Sequence, residues 1–197
     1  MNRLMSIPVL AITLTAAACG SSMNMGASPS TAAATKAATT SGAKTASAAF
    51  NDADVSFAQG MIPHHQQAVA MATMALDPAS ASSTKVREIA TRIRGAQDPE
   101  IQTMTKWLAT WSKPMMADMS GMVGMMSADD MASLRKTTGT AFDQMWLTMM
   151  IKHHQGAITM ANTEKASGTS PDALALATQI ISAQQAEIVE MSKLVAA

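Results

Sequence analysis

This chain is short of the residues that most enzymes and most disulfide-stapled scaffolds rely on. Its single cysteine, Cys19, excludes an internal disulfide, a Cys-based redox pair and any thiolate zinc site. Lysine plus arginine and aspartate plus glutamate balance at 14 each, so no net field draws it to nucleic acid or to an anionic membrane surface. Aromatics are scarce, with three Trp, three Phe and no Tyr. There is no glycine-rich phosphate loop, no nucleophile–base pattern, no Glu-x-x-His motif and no strand-like alternation. These absences argue against an enzyme.

What the chain does have is methionine, 20 in 197 residues, and four histidines confined to two copies of one phrase. The first copy reads Met61-Ile62-Pro63-His64-His65-Gln66-Gln67-Ala68-Val69-Ala70-Met71-Ala72. The second, 89 positions on, reads Met150-Ile151-Lys152-His153-His154-Gln155-Gly156-Ala157-Ile158-Thr159-Met160-Ala161. A shorter echo, Gln97, Glu100-Ile101 and Met104 against Gln184, Glu187-Ile188 and Met191, extends the duplication to a second helix in each half.

The N-terminus reads as an export signal over residues 1–18. Asn2-Arg3 precedes an apolar run to Ala18 that is too short for a comfortable membrane span. Leu14-Thr15-Ala16-Ala17-Ala18-Cys19 resembles a bacterial lipobox. The expectation is an exported protein: a lipoprotein whose only membrane contact is a lipid on Cys19, or a periplasmic or extracellular protein after ordinary cleavage. Residues 19–51, rich in Ala, Ser and Thr, are expected to be a flexible tether, and residues 52–197 the globular domain.

The domain reads as all-α. Helices are expected from Asp54 to Leu76, from the Ser82-Ser83-Thr84 caps to about Trp111 with a kink at Gly95 and Pro99, from Thr140 to Ala166, and from the Ser170-Pro171 start onward. A short helix begins at Ser127 with Asp130. Apolar seams run through Phe57, Met61, His64, Ala68, Met71 and Ala75, through Trp146, Met150, His153, Ala157 and Met160, and through Leu174, Ala177, Ile181, Gln184, Ile188, Met191 and Val195. A helical hairpin used twice buries its stripes only against its own copy, which predicts a pseudo-twofold four-helix bundle. The Met115–Met126 stretch is the crossover.

Adjacent helix residues point about 100° apart, so each His-His pair divides. His64 and His153 take the seams. His65 and His154 take the flanks, each one turn after Met61 or Met150, and Met71 and Met160 lie two turns along the seams. Imidazole with thioether, and no thiolate or carboxylate cluster, selects Cu(I) or its mimic Ag(I) over hard ions. In the crossover, Met116, Met119, Met122 and Met125 recur every three residues, and with Gly121 and Gly124 among them they read as a flexible capture string. Plainer roles stand beside these: methionine is common core filling, and a seam histidine is often satisfied by a carbonyl or by a glutamine such as Gln97 or Gln184. Glu100 and Glu187 are candidate partners for the histidines.

The doubled His-His-Gln phrase and the Gln-x-x-Glu-Ile-x-x-Met segment resemble the CopM-like family of exported bacterial proteins, over about Asp52 to the C-terminus. The resemblance implies a ferritin-like helical bundle and, for its best-understood members, binding of copper or silver outside the cytoplasm in metal tolerance. It carries to His64, His65, Met61 and Met71, and to His153, His154, Met150 and Met160. This chain departs from its own repeat at Gln67 against Gly156 and at Pro63 against Lys152. Two other functions remain open on the sequence: a metal-free helical interaction module in the envelope, and a ferritin-like di-metal oxidase, which the lack of Glu-x-x-His disfavours.

Overall fold

The computed structural model describes residues 49–115 and 121–196. The expected signal, Cys19 and most of the tether, with Met116 and Met119, lie outside the described residues. Among the described residues five helices form: α1 Asp52–Leu76, α2 Thr84–Thr110, α3 Ala128–Lys136, α4 Gly139–Ser167 and α5 Pro171–Val195. A 3-10 turn at Pro78–Ser80 follows α1, and the described residues contain no strand.

The helix starts follow their local chemistry. Asn51 and Asp54 form a capping box on α1, as Ser127 and Asp130 do on α3. Ser83 caps α2 and Ser170 caps α5, where Pro171 occupies a first-turn position that needs no backbone donor. α2 continues as helix through Gly95 and Pro99. Phe50 and Asn51, at the end of the stretch read as tether, belong to the bundle: the Phe50 ring stacks on Trp111 at 4.7 Å.

α1 pairs with α2, and α4 with α5. The two hairpins meet through α1 and α4, which run antiparallel. Trp146 Nε1 donates to Met71 O at 2.9 Å, the His64 and His153 rings meet at mid-length, and Asn51 Nδ2 donates to Ser167 O at 2.7 Å. Ala68 and Ala157, both fully buried, keep this approach close. The seams of α1 and α4 are buried as expected, apart from a half-buried Met160. The α5 seam holds at Ala177, Gln184 and Met191 and is otherwise shifted from its expected position. Ala173, Leu176, Ala177, Ile180, Gln184 and Met191 face inward, whereas Leu174, Ile181 and Ile188 are half-buried and Val195 is exposed. The inner face of α5 combines the small Ala173 and Ala177 with the bulky Leu176, Ile180 and Met191.

The apolar interior is divided into two clusters. One contains Met71, Met150, Trp146, Phe142 and Met191; the other contains Met61, Phe57, Met104, Leu108 and Ile180. The histidines belong to neither.

The duplication also sets how each hairpin grips the other. Asp54 accepts from the backbone N–H of Ser170 at 2.9 Å, and Asp143, its repeat equivalent, accepts from that of Ser83 at 3.1 Å. Only the Asp54 end adds a second acid. Glu164 is buried beside Asp54, where the second hairpin's counterpart position in the first holds Ala75. Burial, with Asp54 alongside, pushes the Glu164 pKa up to about 8. Burial opposes charge on Asp54 too, but hydrogen bonds from Asn51, Glu164, Ser170 and Thr169 hold its pKa below the ordinary value. The pair therefore shares one proton at neutral pH. The unfolded chain releases that proton near the ordinary glutamate pKa, so this stabilisation fades as pH rises towards 8. Glu164→Gln keeps a donor for Asp54 without titrating. Its urea midpoint is expected to gain progressively on the parent protein from pH 5 to 8, and a difference that does not vary with pH would refute the shared proton.

Candidate metal centre

The four histidines form a buried polar layer between the two apolar clusters. His64 from α1 and His153 from α4 face each other with ring centroids 3.8 Å apart and planes tilted by 40°. His65 and His154 turn towards their own hairpin partners: His65 Nε2 donates to Glu100 on α2 and His154 Nε2 to Glu187 on α5, both at 2.7 Å. The flank positions are thus as deeply buried as the seam positions, because α2 and α5 cover them. Between α2 and α5 a cavity of about 20 Å³, room for one water, is lined by Gln97, Gln184, Glu100 and Glu187.

These contacts place a proton on one nitrogen of three of the rings. A carboxylate and a backbone carbonyl only accept, so the ring nitrogen facing one carries the proton. Nε2 is that donor in His65 and His154, and also in His64, which meets the Val123 carbonyl at 3.2 Å. His64 is neutral at pH 7, so its Nδ1 keeps a bare lone pair. The Nδ1 atoms of all four histidines, and Nε2 of His153, are buried without a hydrogen-bond partner. Gln97 and Gln184 do not satisfy the seam histidines; their Oε1 atoms are themselves buried and unpaired. A buried polar group without a partner costs about 1–3 kcal/mol. Five such nitrogens in one layer call for a ligand or another compensating role.

Among the described residues no three His, Cys, Asp or Glu side chains converge as a ready site. Helix geometry places Met61 one turn before His64 and His65, and Met150 one turn before His153 and His154. Met61 belongs to the cluster on one side of the layer, and Met71 and Met150 to the cluster on the other.

The crossover lies over one face of this layer and accounts for the mismatch at Gln67 and Gly156. Gln67 grips the Met126 backbone twice, donating through Nε2 at 2.9 Å and accepting through Oε1 at 2.7 Å. At the matching position on α4 the strand of chain rests directly on Gly156: a Cβ there would sit 2.2 Å from Val123 O and 2.7 Å from Gly124 Cα. Gly124 itself has φ of 85°, a region that favours glycine. The first copy thus holds the crossover and the second makes room for it. The described part, residues 121–126, is non-helical, as its glycines predict. Met122 and Met125 are half-buried.

Burial, reinforced by the neighbouring imidazoles, pushes the His64 pKa down to about 3 and the His153 pKa well below its ordinary value. Both rings are neutral at pH 7, the state that binds metal. The unfolded chain takes up these protons first, so the metal-free fold is at full strength above the ordinary histidine pKa and weakens as pH falls. For His64 the loss at pH 5 is about 2 kcal/mol. Urea midpoints in a Glu164→Gln background, where the opposing glutamate titration is removed, are expected to drop from pH 7 to 5. A flat profile would contradict a buried neutral pair.

The family described as a domain of unknown function, DUF305, matches residues 54–195. The chain belongs to this family. It is similar to a DUF305 protein of Streptomyces coelicolor described as secreted, with 32% identity over 73% of this chain and 91% of that one and a TM-score of 0.68. It is also similar to CopM in its Cu(I)-bound form, with 34% identity over 72% of this chain and 94% of that one and a TM-score of 0.62. CopM in an Ag-bound form aligns with 33% identity over 72% of this chain and 93% of that one, with a TM-score of 0.60. No curated protein matches the chain. Among the described residues no helix is long and apolar enough to cross a membrane.

The sequence had pointed to the four histidines and to Glu100 and Glu187. It had not pointed to Asp54, Glu164, the Val123 carbonyl or the Gln67 clamp. Asp54 and Asp143 recur at the same 89-residue offset as the histidines, which is the signal that could have found them. A backbone carbonyl leaves no such trace.

Proposed function

We propose that this protein binds a soft monovalent ion, Cu(I) or its mimic Ag(I), in the histidine layer, outside the cytoplasm, and sequesters or hands on that ion without catalysing a reaction. The observation that carries this reading is the set of five buried, partnerless imidazole nitrogens at the meeting point of the repeats. His64, His65, His153 and His154 are the principal ligands. Met61, Met71, Met150 and Met160 are the thioethers available to complete the coordination, a donor set that favours Cu(I) and Ag(I) over hard ions. Glu100 and Glu187 orient the flank imidazoles and raise their basicity. Cys19 would carry the lipid that holds the domain at a membrane.

The reading is tested on the full chain by Cu(I) competition against a chromogenic chelator and by nitrogen-15 spectra of the imidazoles under Ag(I) titration. Tight binding with Nδ1 signals moving in all four rings is expected. Saturation with Ag(I) while every imidazole signal stays in place would sink the assignment.

A further inference from the structure

Met122, Met125 and Met126 of the crossover line a groove rather than the histidine layer itself. Met122, Met125, Met126 and Met131 line a surface depression of about 570 Å³ together with Gln67 and Ser127. A turn closed by Met125 N–H donating to Met122 O at 3.2 Å brings the first two together. Met131 comes from α3, so two separate elements place thioethers in one groove.

Met122 also reaches out of the groove. A Cβ built on Gly60 of α1 would lie 3.5 Å from Met122 Cε and 3.6 Å from Met160 Sδ. The crossover and α4 thus each bring a methionine to one point on α1. The repeat equivalent of Gly60 is Met149, whose side chain is buried in the core, so this meeting of two thioethers belongs to one half only. Gly60 sits one turn before His64, a rise of about 6 Å along the helix. Met122 and Met160 are both half-buried, between the exposed groove and the enclosed imidazoles.

We infer that the groove of Met122, Met125 and Met131 is a loading site for a monovalent soft cation, which passes by way of Met122 and Met160 to the histidine layer. This rests on the reading of that layer as a soft-metal centre. Thioethers bind Cu(I) and Ag(I) without displacing a proton and exchange them readily, which suits capture and transfer more than storage. No bond other than metal–ligand bonds forms or breaks, and the ion keeps its oxidation state.

The test uses the full chain carrying Met122→Leu or Met125→Leu, substitutions of near-equal volume that the fold should tolerate. Loading from a Cu(I)–chelator complex and release to excess chelator are expected to slow together by about tenfold, since one shared barrier rises. The equilibrium affinity of the tight site should stay the same. Unchanged rates would overturn the inference, and so would a loss of tight-site affinity, which would make these thioethers part of the centre itself. A second measurement needs no variant in the titrated sample. With the tight site already filled, further Ag(I) should shift the carbon-13 methyl signals of Met122, Met125 and Met131 in the parent chain. Signals that stay still would mark the groove as a surface for an apolar partner. In a chain lacking all four histidines these methyl shifts should persist. If that chain instead kept tight binding, the histidine assignment would fail while the groove stood.

Discussion

Gly156→Ala is expected to destabilise the protein by about 1–3 kcal/mol, the cost of forcing extra volume into a packed contact. In an ordinary helix interior the same change stabilises by about 1 kcal/mol, because alanine has the better helix propensity. The sign reverses here because the added methyl would fall 2.2 Å from Val123 O and 2.8 Å from Val123 C. These are backbone atoms, which cannot swing aside as the end of a side chain can. The crossover must lift, and the contact from His64 Nε2 to the Val123 carbonyl lifts with it. Gly95→Ala in α2 is the control, since its Cβ would meet nothing within 4 Å. Urea midpoints of the two variants should move in opposite directions. A stabilised Gly156→Ala protein would show that the crossover does not rest on α4 in solution.

Replacing His64, His65, His153 and His154 together by leucine is expected to weaken Cu(I) binding by at least about a thousandfold, or ~4 kcal/mol. What remains should be weak, methionine-dependent binding. The same variant is expected to be no less stable than the metal-free parent, and leucine approximates histidine in size. The parent layer holds five unpaired buried nitrogens, and apolar replacement of a buried polar cluster is often neutral or stabilising. Glu100 and Glu187 lose their partners but keep access to water, with side chains 21% and 17% exposed. Chelator competition and thermal melting of both metal-free proteins check the two halves of this expectation. Retained tight affinity would remove the histidines from the site. A steep loss of metal-free stability would show instead that the layer is structural, held together by contacts such as those of His65 with Glu100 and His154 with Glu187.

The paired outcome bears on why such a layer persists. A core built only for stability would fill this plane with aliphatic side chains and satisfy every polar group. Here a fully buried plane of the bundle carries five partnerless nitrogens, a cost expected at a site whose ligand offsets it on binding.

Much of this architecture was legible in the chain itself. Helix starts are local events, so Ser127 with Asp130 and Ser170 with Pro171 announced theirs within four residues. The repeat at 89 positions implied two equal hairpins, and the 3.6-residue period put His64 and His153 on the inner faces of α1 and α4. Four histidines on two inner-face segments, beside methionines and without cysteine, are the basis of the soft-ion proposal. Tertiary structure decided the rest. It brought His64 against His153 through an antiparallel crossing that small residues such as Ala68 and Ala157 permit. It buried the flank histidines against Glu100 and Glu187, and it laid residues 121–126 on Gly156 in one half alone. Periodicity records which face of a helix is apolar, and capping records where a helix begins. Neither records which distant segment will fill a space left by glycine, because that depends on shape complementarity across about 30–60 positions of chain.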